Sequence, residues 1–106
     1  MIIKGREIIY KDAFLQRLIE IQEYIGRYDA VKGRLFVNQF LNFAIDTIAE
    51  FPFGFVKFSN SKYPDSDLRR AVFKNDYLII YRVSDIKIEF VEVFHTSQNP
   101  ENQELK

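Results

Sequence analysis

Three β-prone runs near the C-terminus constrain the fold of this chain more than any other feature. The runs are 68–74, 77–83 and 87–94, and each is rich in β-branched and aromatic residues. Only short polar connectors separate them, Asn75-Asp76 and Ser84-Asp85. Because connectors this short join only antiparallel neighbours, residues 68–94 are predicted to form a three-stranded meander with hairpin turns.

The N-terminal part predicts a strand followed by a first helix. Residues 6–10 form a short β-prone run, and Asp12 is a candidate N-cap for a helix that begins near Ala13. Apolar residues then recur at spacings of four and three, which places them on one helix face: Phe14, Leu18, Ile21 and Ile25.

A second helix is predicted to follow after a short interruption at Gly26. Asp29 is its candidate N-cap, and Pro52 should end it soon after Glu50 because proline supplies no N–H. One apolar stripe contains Val37, Leu41, Ala44 and Ile48, and a second edge contains Phe36, Phe40 and Phe43. Two apolar edges are too wide for one buried face. The phenylalanines therefore either bind a partner or pack under the segment 51–58.

The order of these elements predicts an α+β fold. An N-terminal strand and an α-helical hairpin should pack on one face of an antiparallel sheet that ends in the C-terminal meander. The first strand joins the meander either at an edge or beside a central strand. Residues 51–67 are predicted to be an ordered loop and 97–106 a fraying polar tail. The length of 106 residues fits a single domain, 1–106.

Composition and charge exclude several classes of function. The chain has no cysteine and one histidine, so the sequence predicts neither a metal site nor a cofactor. No apolar run approaches the roughly 20 residues of a membrane span, and a cytosolic location is expected. The 15 basic residues are balanced by 15 acidic ones, which argues against strong direct binding to nucleic acid.

The C-terminal third resembles a known family. Leu68-Arg69-Arg70-Ala71-Val72-Phe73, Asp76-Tyr77-Leu78-Ile79-Ile80-Tyr81-Arg82-Val83 and the run from Ile88 to Pro100 look like the closing meander of the RelE/ParE superfamily. The preceding strand and helical hairpin occur in that family in the same order. The resemblance implies the toxin of a type II toxin–antitoxin pair, with a cognate antitoxin as partner. ParE-like members poison DNA gyrase, whereas RelE-like members cut mRNA in the ribosomal A site.

Departures from the RelE-like pattern favour the ParE-like branch. RelE-like toxins supply several lysines and arginines plus a C-terminal tyrosine. Here Arg69 occupies a basic position, but Ala71 and Leu78 replace two others, and no tyrosine follows His95. The favoured function is a ParE-like toxin acting on gyrase. The alternatives are a RelE-like endoribonuclease that uses Arg69, Arg82 and His95, and a non-toxic member that only binds its antitoxin.

Strand alternation assigns these candidates to faces of the sheet. Arg69 and Arg70 must point to opposite faces, so only one can join a shared site, and the resemblance favours Arg69. Tyr77 and Tyr81 should share a core face, with Arg82 on the other face, while His95 is either a general base or a strand-end residue bonded to the tail. The predicted partner-binding residues are Phe36, Phe40, Phe43, Arg69, Tyr81 and Arg82.

Overall fold

The computed structural model describes residues 1–58 and 67–96. Its elements are β1 (Ile2–Ile3), β2 (Arg6–Tyr10), α1 (Asp12–Gly26), α2 (Ala30–Phe43), a π-helical turn (Ala44–Ile48), β3 (Leu68–Phe73), β4 (Tyr77–Val83) and β5 (Lys87–His95). The predicted tail 97–106 and part of the predicted loop, 59–66, lie outside the described residues. The α+β fold class is confirmed.

The five strands form one sheet in the order β1-β2-β5-β4-β3. The predicted meander is confirmed, because β4 pairs antiparallel with both β3 and β5. The prediction of an antiparallel sheet is wrong at one place, since β2 pairs with β5 in parallel. The sheet is therefore mixed. A parallel neighbour is possible here because the helical hairpin between β2 and the meander gives the chain a long crossover.

The β1 strand at the sheet edge was not predicted. A two-residue turn at Lys4 and Gly5 joins it to β2, and both residues have positive φ, 50° and 82°. Two successive positive φ angles are typical of the tight hairpin turn whose twist matches antiparallel strands. Lys4 is thereby held at the tip of the hairpin, with Arg6 at the start of β2.

The helix caps confirm one prediction and correct the other. The Asp29 carboxylate accepts hydrogen bonds from the backbone N–H groups of Val31 and Lys32, as expected of an N-cap. Asp12 is instead the first residue of α1, and Lys11 holds the N-cap position without a side-chain hydrogen bond. The chain leaves β2 directly into the helix, so no separate capping turn is formed. Asp12 still places a negative charge in the first turn, where the helix dipole favours it.

The main core lies between the helices and one face of the sheet. The helices contribute Phe14, Leu18, Phe40, Ala44 and Ile48, and the sheet contributes Ile8, Ala71, Phe73, Ile79, Tyr81, Val83, Ile88, Phe90 and Val93. A smaller cluster covers the opposite face of the meander and contains Phe58, Leu68, Leu78, Ile80 and Phe94. Within residues 1–58 and 67–96, no helix is both long and apolar enough to span a membrane.

Candidate functional site

The three candidate catalytic residues lie at three separate places on the sheet. Arg69 is paired with Tyr81 across β3 and β4, whereas His95 is paired with Tyr77 across β4 and β5. Tyr77 and Tyr81 are four residues apart in β4, which corresponds to roughly 13 Å along the strand. Arg82 alternates to the face opposite Tyr81. The fold therefore does not bring Arg69, Arg82 and His95 together.

Arg69 lies on the helix side of the sheet, next to an exposed aromatic ring. Its guanidinium donates a hydrogen bond of 2.6 Å to the backbone carbonyl of Phe55 and lies over the ring of Phe53, 5.2 Å from the centroid. The guanidinium of Arg6 lies over the same ring at 5.3 Å. Two strands far apart in the sequence thus place their arginines on one phenylalanine.

A third cation extends this group of residues. The ammonium group of Lys4 lies 4.9 Å from the ring centroid of Phe51 and 3.1 Å from the carboxylate of Glu50. The side chains of Phe51 and Phe53 are 63% and 58% exposed. We call Lys4, Arg6, Phe51, Phe53 and Arg69 the Phe53 surface. Of these five residues, sequence reasoning identified Arg69 alone.

Tyr81 is a core residue that anchors the start of the loop. Its ring is fully buried, and its hydroxyl donates a hydrogen bond of 2.6 Å to the carbonyl of Pro52. Burial raises the pKa of Tyr81 to about 12, and the nearby Arg69 guanidinium opposes this increase. The predicted shared face of Tyr77 and Tyr81 is confirmed, because both pack in the main core.

The phenylalanines of α2 pack inside the fold. Phe40 is fully buried, with its ring centroid 5.1 Å from that of Phe73. Phe36 and Phe43 are partly buried and also contact Phe73, at 5.7 and 5.3 Å. Of the two alternatives, partner binding or packing under the segment 51–58, the second holds for Phe43, whose ring centroid lies 6.4 Å from that of Phe55. Phe36 and Phe40 are covered by Phe73 of the sheet instead. Among the predicted partner-binding residues, Phe40 and Tyr81 have no exposed surface to offer in this conformation.

His95 borders an open cleft of about 440 Å³ between α1 and the ends of β4 and β5. The cleft is lined by Arg17, Glu20, Ile21, Tyr24, Tyr77, Val93 and His95. The rings of Tyr77 and His95 meet edge to face, with centroids 5.3 Å apart. Burial raises the pKa of Tyr77, and the charges of Asp76 and Tyr24 raise it further.

The cation in the His95 cleft is already paired. Arg17 lies 3.4 Å from a carboxylate oxygen of Glu20 and 3.6 Å from one of Glu92, which is only 1% exposed. The other oxygen of Glu92 is buried without a hydrogen-bond partner. Glu92 therefore keeps Arg17 close to the sheet, and the two glutamates more than offset its charge. Neither Arg17 nor Glu92 was identified from the sequence.

Arg82 belongs to an ion-pair group on the opposite face of the sheet. Its guanidinium lies 3.9 Å from the carboxylate of Glu89, which Lys11 and Lys87 also approach at 3.6 Å. Glu89 is 7% exposed, so these cations offset a nearly buried charge. This arrangement gives Arg82 a structural partner. In the described part of the chain, no group of three His, Cys, Asp or Glu residues is placed to hold a metal ion.

Comparison with known proteins assigns the family. The family model described as the ParE toxin of the type II toxin–antitoxin system parDE matches residues 8–100. The chain belongs to the ParE toxin family. It is accordingly the toxin component of a type II toxin–antitoxin system, a class that implies an antitoxin partner. No curated protein matches the sequence.

Two solved structures are similar to this ParE-family chain in fold. The crystal structure of YafQ from E. coli strain BL21(DE3) has 19% sequence identity and a TM-score of 0.55, with 87% of this chain and 94% of that chain covered. The solution structure of the conserved hypothetical protein HP0894 from Helicobacter pylori has 16% identity and a TM-score of 0.52, with 88% and 97% covered. Both confirm the RelE/ParE-like fold.

Proposed function

We propose that this ParE-family toxin acts on DNA gyrase in the cytoplasm and is held inactive by a cognate antitoxin. The observation that carries the proposal is the separation of Arg69, Arg82 and His95 over two faces and two ends of the sheet. Metal-free RNA cleavage needs a base, a cation and an acid that all reach one phosphodiester. Three residues placed this far apart do not meet that need, so a binding mode of toxicity is the better account.

One apolar surface available to an antitoxin lies on the helical hairpin. Leu15 and Ile19 of α1 are 41% and 49% exposed, and Val31 and Leu35 of α2 are 53% and 52% exposed. Each pair is one helical turn apart, so its two side chains lie on the same side of their helix. These residues replace the phenylalanines of α2 as the proposed apolar contacts. Arg69 and Arg82, which retain exposed surface, stay in the proposed partner-binding set.

Ribosome-dependent mRNA cleavage is the second candidate, and the His95 cleft is the observation that favours it. His95, Glu20 and Arg17 supply a base, an acid and a cation around one opening. The pairing of Arg17 with Glu20 and Glu92 weakens this candidate, because a neutralised arginine stabilises a developing phosphorane charge poorly.

Primer extension on a reporter mRNA, with a DNA-damage reporter in the same cells, separates the two candidates. After induction of the toxin, we expect intact message at the ribosomal A site and an activated DNA-damage response. Codon-phased cuts that disappear in His95→Ala, with no damage response, would establish the endoribonuclease. Growth unaffected by a well-folded, expressed protein would instead identify a non-toxic member of the family.

A further inference from the structure

The Phe53 surface combines exposed aromatic rings with cations. The guanidinium groups of Arg6 and Arg69 both lie over the Phe53 ring, at 5.3 and 5.2 Å, yet the Phe53 side chain is 58% exposed. A single exposed phenylalanine is ordinary, but Phe51 and Val56 on the same segment are exposed as well, and apolar side chains exposed together mark an interaction site. Aromatic residues, phenylalanine among them, and arginine are also enriched at protein interfaces relative to the rest of the surface.

The two arginines are oriented by carbonyl groups. The Nε of Arg6 donates to the carbonyl of Ser84 at 2.7 Å, and Arg69 donates to the carbonyl of Phe55 at 2.6 Å. A carbonyl fixes the direction of a guanidinium and leaves its positive charge in place. Lys4 differs, because the carboxylate of Glu50 lies 3.1 Å from its ammonium group. Three cations and one carboxylate give the surface a net positive charge.

The apolar part of the surface continues along the loop. Phe51 and Val56 are 63% and 60% exposed, on the same segment as Phe53. Residues 56–58 are themselves held in place, because the N–H of Arg70 donates to the carbonyl of Val56 and the N–H of Phe58 donates to the carbonyl of Leu68. This part of the loop is therefore attached to the edge of β3 and presents the Val56 side chain from a fixed position.

We propose that the Phe53 surface binds an acidic segment of the antitoxin, with carboxylates paired to Arg6 and Arg69 and an apolar side chain packed against the edge of Phe53. This proposal rests on the proposed function, because the antitoxin is its partner. Planar guanidinium groups pair with carboxylates through two parallel hydrogen bonds, which suits glutamate and aspartate side chains.

A protein segment fits this surface better than a nucleic acid does. Bases bind such sites by stacking on an aromatic face, but guanidinium groups already occupy the face of Phe53. Nucleic-acid binding also draws on a surplus of basic residues, and this chain has 15 basic and 15 acidic residues.

The test measures binding of a fluorescent synthetic peptide of glutamate and leucine to the full chain by anisotropy. Its glutamine counterpart and a single-stranded oligothymidine are the alternative probes. Arg6→Gln and Phe53→Ser are the test variants. Arg70→Gln is the matched control, because Arg70 is an exposed arginine next to Arg69 that points to the other sheet face. Circular dichroism establishes that each variant is folded before binding is measured.

We expect the acidic peptide to bind the parent chain and the Arg70→Gln variant equally, and to bind Arg6→Gln about tenfold more weakly, the usual effect of losing one charge-assisted hydrogen bond. Phe53→Ser should show a similar loss. Equal binding of the glutamine peptide, an equal loss in Arg70→Gln, or tighter binding of the oligothymidine would overturn the proposal. If the peptide does not bind while co-expressed antitoxin still neutralises the toxin, this inference fails and the proposed function stands.

Discussion

The phenylalanines of α2 and the first two phenylalanines of the loop that follows it have opposite fates in this fold. Phe40 is fully buried and Phe36 and Phe43 are partly buried, whereas Phe51 and Phe53 are 63% and 58% exposed. Only seven residues of sequence separate the two groups, between Phe43 and Phe51. Apolar composition alone therefore does not identify which phenylalanines form the core. The backbone conformation at each phenylalanine determines whether its ring is buried.

Helical spacing explains the burial of the first group. Residues 36, 40 and 43 recur at intervals of four and three, so a single helix face directs all three rings at Phe73 of the sheet. Pro52 and Gly54 prevent a comparable repeat in the loop, and the chain there turns back to cover the edge of β3. Phe51 and Phe53 are left on the surface, where lysine and arginine side chains cover their rings. Farther along the loop, Phe55 and Phe58 pack against the core again.

The largest expected difference between the two groups is in stability. Phe40→Ala removes a fully buried ring and should lower the free energy of unfolding by about 3–5 kcal/mol. Phe53→Ala removes an exposed ring and its two cation–π contacts, and should cost less than about 1 kcal/mol. Urea unfolding monitored by circular dichroism measures both. An equal decrease in the free energy of unfolding for the two variants would show that Phe53 belongs to the core and that the comparison is wrong.

The sequence predicted the regular part of the fold well, because periodicity acts over short distances. The bounds of β4 and the Asp29 cap were correct, and the meander followed from connectors too short for any other pairing. The parallel pairing of β2 with β5 was not predictable in the same way, since it depends on where a helical hairpin returns the chain. The two-residue strand β1 is too short for its periodicity to be recognised.

A second prediction concerns the bond that ties the exposed loop to the core. Burial raises the pKa of Tyr81 from 10.0 to about 12 in the folded chain, so the folded state retains a proton that the unfolded state loses. The contribution of Tyr81 to the free energy of unfolding is fully present below pH 10. As the pH rises from about 10 to about 12, this contribution falls by roughly 2–3 kcal/mol.

Tyr81→Phe should abolish this alkaline loss, at a cost of about 1 kcal/mol at neutral pH for the missing bond to the carbonyl of Pro52. Chemical unfolding at pH 8, 10 and 12, roughly spanning the titration, provides the measurement. The account is contradicted if the variant and the parent chain lose the same stability between pH 10 and pH 12. Tyr10 and Tyr77 are unchanged in both proteins and serve as the internal background.

A smaller effect tests how α2 is held in place to bury its phenylalanines. A Cβ atom on Gly33 would lie 2.8 Å from the backbone carbonyl oxygen of Gln22, so Gly33→Ala should force the helices apart and cost roughly 1–2 kcal/mol. Gly26→Ala is the matched control, because a Cβ there meets nothing within 4 Å. In thermal unfolding, the melting temperature of Gly33→Ala should be lower than that of the parent chain, and that of Gly26→Ala should be unchanged or higher. A stabilised Gly33→Ala protein would rule out tight packing of α1 on α2.

The candidate site was far less predictable than the fold. The Phe53 surface joins residues 4, 6, 51, 53 and 69, which only the folded sheet brings together. Arg69 was identified because a family pattern marks its position, while Arg6 and Phe53 have no comparable signal in one sequence. Glu92 was missed because a glutamate in an apolar strand is normally assigned to the solvent side.

The most direct test of the central claim is the supercoiling of relaxed plasmid by purified DNA gyrase in the presence of this chain. We predict inhibition of supercoiling, with Arg70→Gln as active as the parent chain and His95→Ala also active, because no acid–base chemistry is required. Unimpaired supercoiling at every toxin concentration, by a folded protein that still arrests growth, would contradict the claim that gyrase is the target.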